Sequence, residues 1–409
     1  MRGNDFLDKM ANIAPEYIEE AETYTQKQPR RWPKWVAVAA CVACVACVAL
    51  VGVKLLPHED TPSLPMLTIE ENSQGMGFEG YMAHDASELV NANPCDVADA
   101  PETLPVYKNT LLVSERGVSI GGDEDALRAT LLDVAERLGL DTENLDITEV
   151  FAKDTNDEST LQAIKDEFKD ADAATKQRLN GPEQLVATAE GMCIQVKGDL
   201  TTEIFFEPAV ALPEGLHFID NATYEELEQV AVYLKDTYAD LLGMDHPQVN
   251  IHGGDYTYDG QQRYQLEFYE GSEDDTQALL NYHFNRVAFY SDDQGNLMMA
   301  RIFRTDLSDK VGDYPIISAE DAQALLSEGH CLTNVPIPFP GEDAIAKVEL
   351  VYRNSTGDAY YMPYYRFYVE VPPQDNATTN LKTYGAYYVP AVVGEYLTNM
   401  PSWDGSFNN

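Results

Sequence analysis

The stretch Trp35–Val53, WVAVAACVACVACVALVGV, is an unbroken apolar run of 19 residues with Arg30, Arg31 and Lys34 on its amino side. As a helix rising about 1.5 Å per residue it extends about 28 Å, close to the hydrocarbon thickness of a bilayer. The spacing predicts one transmembrane helix over 35–56, with the Arg/Arg/Lys cluster kept in the cytoplasm by the positive-inside rule. Only Lys54 precedes His58, Glu59 and Asp60 on the far side, so the long carboxyl-terminal part is expected outside the cell. The leader before the run is longer than that of a usual signal peptide, and the run exceeds an h-region of about 7–15 residues, so an anchor is read rather than a cleaved signal. Cys41, Cys44 and Cys47 recur every third residue within it. Thiolates at mid-membrane would be costly, so these are small apolar filler and no metal is inferred.

The sequence holds 27 Lys+Arg against 69 Asp+Glu, a formal charge of −42. Residues 1–34 are balanced at six basic and six acidic side chains, so nearly all of the excess falls beyond the apolar run. So acidic a surface repels nucleic acid and anionic headgroups, because counterion release cannot drive binding to phosphates. It suits solubility, or attraction of a basic peptide, a basic domain or a metal cation.

Residues 1–34 read as a cytoplasmic tail with one short amphipathic helix, Phe6, Leu7, Met10, Ile13, Tyr17 and Ile18 lying at helical spacing. Residues 57–77 read as a linker rich in Pro, Ser, Thr and acids. Beyond it a theme of one helix followed by strands recurs, giving modules at 78–212, 213–312 and 313–409. The first has the helix DALRATLLDVAERLGL behind Asp123 as N-cap, a helical stretch Thr160–Leu179, and the strands MCIQV and TEIFFEP. In the second, Thr223 and Glu226 form a capping pair ahead of LEQVAVYLKDTYADLLG, and a hairpin turn Asp292–Asn296 joins NRVAFYS to LMMARIFR. The third opens at Ser318 with Asp321, then runs AKVELVYR, YYRFYVEV and TYGAYYVPAV. The expected fold is α+β: a transmembrane helix, then tandem modules each packing a helix on an antiparallel sheet.

The run Asp5-Phe6-Leu7, the segment Tyr17-Ile18-Glu19-Glu20-Ala21 and the Arg/Trp/Lys-flanked apolar helix resemble the amino end of single-pass envelope proteins of clostridial bacteria, anti-sigma-factor-like ones included. The motifs GMGFEGYMAHDASELVNANP, ISAEDAQALLSEG, KVELVYR, MPYYRFYVEV and LKTYGAYYVPAV resemble those of an uncharacterised clostridial membrane-protein family across nearly the whole chain. More distantly, the Ser-Ala-Glu-Asp-Ala helix opening and the strand ending in Tyr are similar to PepSY-like modules and to the accessory proteins YycH and YycI, which restrain a sensor kinase across the membrane. That resemblance implies an exterior regulator without catalysis, acting through its membrane helix.

Catalytic and cofactor motifs are otherwise missing from the sequence. Gly75–Gly80 fits G-x-G-x-x-G but lacks a βαβ unit around it and reads as a turn. The seven histidines are scattered without metal-ligand spacing, and neither Asp255–Gly260 nor Asp292–Asn296 completes a twelve-residue calcium loop. Cys95, Cys193 and Cys331 read as small buried hydrophobes. No catalytic residue, cofactor or metal is assigned. The 24 tyrosines cluster toward the carboxyl end. In Tyr364–Val371, Tyr365, Phe367, Val369 and Val371 suit a core while Tyr364, Arg366, Tyr368 and Glu370 lie opposite. Tyr364, Arg366 and Tyr368, with Tyr384, Tyr387 and Tyr388, form the candidate interaction face, since exposed tyrosine grips a ligand at little entropy cost. The competing reading is cross-strand aromatic pairing beneath a covering element.

The function expected is that of a membrane-anchored, extracytoplasmic binding or regulatory protein in envelope signalling, not an enzyme. Its partner would be a membrane protein or a basic peptide, and not nucleic acid. The alternative is a membrane-tethered hydrolase or carbohydrate-binding protein.

Overall fold

Three local signals set the positions of the main helices. The Asp123 carboxylate accepts the N–H groups of Asp125 and Ala126, Thr223 and Glu226 exchange the two hydrogen bonds of a capping box, and the Ser318 hydroxyl accepts the Asp321 N–H. Each satisfies amide donors that the first helical turn would leave orphaned. The computed structural model describes residues 64–70, 82–84, 91–111, 121–219, 221–256, 262–333, 335–354, 358–372 and 382–403. The expected tail, transmembrane helix and most of the linker, with Gly75–Gly80, lie outside these residues. Among the described residues no helix is long and apolar enough to cross a membrane.

In chain order the strands are β1 (Met82–His84), β2 (Thr103–Lys108), β3 (Ile147–Val150), β4 (Gln184–Ala189), β5 (Met192–Lys197), β6 (Thr202–Val210), β7 (Pro247–Tyr256), β8 (Gln262–Glu270), β9 (Asn285–Ser291), β10 (Leu297–Arg304), β11 (Lys310–Pro315), β12 (Ile345–Tyr352), β13 (Tyr360–Tyr361), β14 (Pro363–Val371) and β15 (Lys382–Pro390). The helices are α1 (Glu124–Arg137), α2 (Ala152–Thr155), α3 (Glu158–Glu167), α4 (Ala173–Leu179), α5 (Tyr224–Thr237), α6 (Ala239–Leu242), α7 (Asp275–Phe284) and α8 (Ala319–Ser327). The architecture is α+β with antiparallel sheets. The stretch expected as one helix over Thr160–Leu179 is two: α3 closes at Phe168, and the Asp172 carboxylate opens α4 by accepting the Thr175 N–H at 2.7 Å.

The stretches 78–212 and 213–312 meet in one eight-stranded sheet of order β3-β4-β5-β6-β10-β9-β8-β7. Its halves read the same from either edge, each a helix followed by a four-strand meander, joined through their last strands by the pairing of β6 with β10. Helices α1 and α5 bury Leu127, Leu131 and Val134, and Val230 and Leu234, in one core with Ile194, Ile204, Phe268, Phe289 and Ile302 from both halves. One hydrophobic cluster thus serves both stretches.

The stretch 313–409 builds a four-stranded sheet, β1-β15-β14-β12, with α8 against β15. A small sheet, β11-β2-β13, completes the structure. Strands β1 and β2 precede α1 in the chain, yet they pair with β15 and with β11 and β13. The segment Ala92–Asn93 straps the two large sheets together: Tyr269 Oη donates to Ala92 O at 2.9 Å, Ala92 N–H to Asn250 Oδ1 at 2.9 Å, and Asn93 Nδ2 to Leu350 O at 2.9 Å. Leu64–Asn409 is one compact unit.

Candidate functional site

The alternation expected in β14 is present, but the sheet is covered on both faces. Tyr365, Phe367, Val369 and Val371 pack with Ala322 and Leu326 of α8 and Leu279 and Phe284 of α7. On the other side Tyr364 and Tyr388 pack with Leu67, Leu332, Val351 and Leu397. Tyr364, Tyr368, Tyr384, Tyr387 and Tyr388 are all under a tenth exposed, which corrects the expectation of an open interaction face there. Strands apolar on both sides are those of a sheet enclosed on both sides. The hydroxyls find internal acceptors instead: Tyr365 donates to Ile317 O at 2.8 Å and Tyr387 to Ile337 O at 2.7 Å.

Arg366, the remaining member of that face, donates to the Glu349 carboxylate through Nε at 3.0 Å and also through Nη2. Lys347 Nζ lies 2.7 Å from Glu349 Oε1, and Asn91 Nδ2 donates to the same oxygen at 2.7 Å. Burial would raise the Glu349 carboxyl, but the charges of Arg366 and Lys347 outweigh it and hold it down at about 2. A second buried carboxylate, Glu267 on β8, meets Arg286 Nε at 3.3 Å and His252 Nε2 at 3.3 Å. There too burial works upward, and the Arg286 charge with hydrogen bonding from His252 wins, so Glu267 is held below its ordinary value. His283, between these clusters, is pushed down to about 3 by burial with the Arg366 and Arg286 charges adding, so it is neutral at physiological pH. Both carboxylates lie inside against opposite charge, while Arg286 Nε, His252 Nε2 and His283 Nε2 are buried without a well-aligned hydrogen-bond partner among the described residues.

A cleft of about 470 Å³ opens where parts from all along the unit converge. Arg178 of α4, Asp199 and Leu200 of the β5–β6 turn, Arg286 of β9, Arg304 ending β10, Asp306 beyond it and Tyr361 of β13 all line it. Arg178 is positioned by a close backbone approach. Gly121 lies so near that a Cβ there would fall 1.8 Å from Arg178 O, and Arg178 Nη1 donates to Thr110 O at 3.0 Å. Arg304 Nη1 meets Asp133 Oδ2 of α1 at 3.2 Å. Arg286 stacks over the Phe303 ring at 4.3 Å. Asp306 accepts the Ser308 N–H at 2.9 Å. Hydrogen bonding from Ser308, despite some burial and with the Arg178 charge adding, holds its carboxyl below the ordinary value.

Leu200 sits in the left-handed region with φ 65. Its turn carries the hydrogen bonds Lys197 N–H to Thr201 O at 2.9 Å and Leu200 N–H to Lys197 O at 2.7 Å. The twin turn between β9 and β10 has the same pattern, Asp292 N–H to Asn296 O and Gly295 N–H to Asp292 O, with glycine at the matching place and φ 82. A branched side chain costs roughly 1–2 kcal/mol in a conformation that glycine takes freely. Strain at a cleft wall points toward function. Leu200 also packs against the large core, so Leu200→Gly trades relief of that strain for lost burial. The expected net change is within about 1 kcal/mol in a denaturant melt, against about 2–5 kcal/mol for Leu234→Ala. A loss as large at Leu200 would mean that packing alone holds the turn.

Apart from Asp123, read as a helix N-cap, none of these cleft residues carries a sequence signal, because the three arginines belong to separate elements far apart in the chain. Cys95 and Cys193 are half-buried and Cys331 buried, all with free thiols, and burial pushes Cys331 up to about 12. The Asp292 carboxylate is used within its own turn, accepting the N–H of Gln294 and of Asn296. Among the described residues no group of His, Cys, Asp and Glu could hold a metal ion.

No protein-family model matches the chain, and no curated protein matches it. Among solved structures it is similar to an uncharacterized protein from Eubacterium rectale, 10% identical, covering 74% of this chain and 86% of that one with a TM-score of 0.33.

Proposed function

We propose that the chain is a single-pass, membrane-anchored binding or regulatory protein of the cell envelope, without catalysis, whose ligand enters the cleft from outside the cell. The apolar run Trp35–Val53 behind Arg30, Arg31 and Lys34 supports the anchor and its orientation. The acidic balance beyond the run supports attraction of a basic peptide or a basic domain of a membrane protein to the surface. The observation that carries the binding role is the cleft, whose charged walls are supplied by α4, the β5–β6 turn and the ends of β9 and β10. Asp306, held ionised, is suited to pairing with a cation rather than to donating a proton.

The test is protease added to intact cells carrying the chain with a tag at each end. The carboxyl-terminal tag should be lost while a short amino-terminal fragment survives until the membrane is permeabilised. Protection of the whole chain in intact cells would overturn the reading.

A further inference from the structure

We infer that the cleft takes a zwitterionic amino acid or short peptide, its free carboxylate on Arg178 and Arg304 and its free ammonium on Asp199 and Asp306. This rests on the proposed binding role and specifies its ligand. In a chain of net charge −42, the cleft is lined by three arginines and three aspartates. Two of the six have structural duties: Arg286 faces buried Glu267 and stacks on Phe303, and Asp123 caps α1 by accepting two backbone N–H groups. Two guanidinium groups and two carboxylates are left.

All four are held by a single anchor or little more, which leaves valence facing outward. A guanidinium has five N–H donors. Among the described residues Arg178 is anchored by Thr110 O and Arg304 by Asp133. Asp199 accepts the Thr201 N–H at 2.9 Å on Oδ1, so its second oxygen is spare, and Asp306 accepts from Ser308 and distantly from Thr110. A simple anion would meet two carboxylates, and a simple cation two guanidinium groups. A ligand with both charges at opposite ends satisfies each pair and repels neither. Phe303, Tyr361 and strained Leu200 add apolar surface to the same lining, fit for a short backbone and small side chains.

The experiment is titration calorimetry of the full-length chain in detergent with a panel of free amino acids and tripeptides. The same peptides are then titrated N-acetylated, C-amidated, or both, with N-acetylglucosamine as a neutral control. Saturable binding of a free amino acid or tripeptide is expected, weakened at least tenfold by either block, and the single residues against the tripeptides identify which size fits. Asp199→Asn keeps the Thr201 hydrogen bond and should erase the preference for a free amine. Arg304→Gln should erase the preference for a free carboxylate, and Arg178→Gln provides a second test should loss of the Asp133 contact impair folding. Equal affinity for blocked and free peptides, or binding of the sugar alone, overturns the zwitterion while the binding role stands. No heat from any ligand overturns the zwitterion as well, and the protease experiment then judges the anchored topology independently.

Discussion

Arg366→Leu should lower the stability of the folded chain by about 3–5 kcal/mol at neutral pH, because it strands Glu349 in the interior without its main counter-charge. Glu349 is almost fully buried, and Lys347 and Asn91 would remain as its only anchors among those described here. The intact carboxyl has a folded value of about 2 against an ordinary 4.5. A depressed folded value stabilises above the unfolded pKa, and that contribution is lost as pH falls through the folded one. Without Arg366 the folded value rises, so the variant takes up a proton earlier and its deficit narrows between about pH 5 and pH 2. Urea melts of both proteins at pH 7 and pH 3.5 measure this. A deficit under about 1 kcal/mol at pH 7, or one that does not change on acidification, would show that the pair does not have this role.

Phe268→Ala should cost about 3–5 kcal/mol and destabilise both halves of the eight-stranded sheet together. Phe268 is fully buried on β8, with its ring edge-on to Phe289 at 5.8 Å, in the core that α1 and β4–β6 also line. Removing the ring leaves a cavity in the one cluster to which strands on both sides of the β6·β10 seam contribute. Native-state hydrogen exchange tests it: amides of β4–β6 should lose protection in step with those of β8–β10. Loss confined to β7–β10 would mean that the two stretches fold separately after all.

The parts of the fold that sequence could reveal were local. Asp123, Thr223 with Glu226, and Ser318 announce their helices because a cap is a matter of a few consecutive residues, and Asp292–Asn296 announces its hairpin for the same reason. Asp172 carried an equally local signal for a second helix, hidden because the surrounding stretch is helical in composition throughout. The pairing of β6 with β10 was not legible, since register between strands about a hundred residues apart depends on tertiary packing. The tyrosines of β14 and β15 misled for a related reason. An aromatic residue in an alternating strand suits water on one face or a second layer above it, and only Leu67, Leu332 and Leu397 from elsewhere in the chain decide. Nothing local to Glu267 or Glu349 marks it as buried, yet each lies buried against arginine. The cleft is assembled from α4, two strand ends and a turn, so its chemistry exists only after folding.

A gene encoding either four-strand half alone would leave its last strand as an open edge, and two such products could meet along it just as β6 and β10 meet here. Covalent fusion makes that encounter intramolecular and frees the copies from identity. The two halves can then differ: Gly295 takes the left-handed position at one final hairpin and Leu200 at the other, so a symmetric strand order carries two unlike turns.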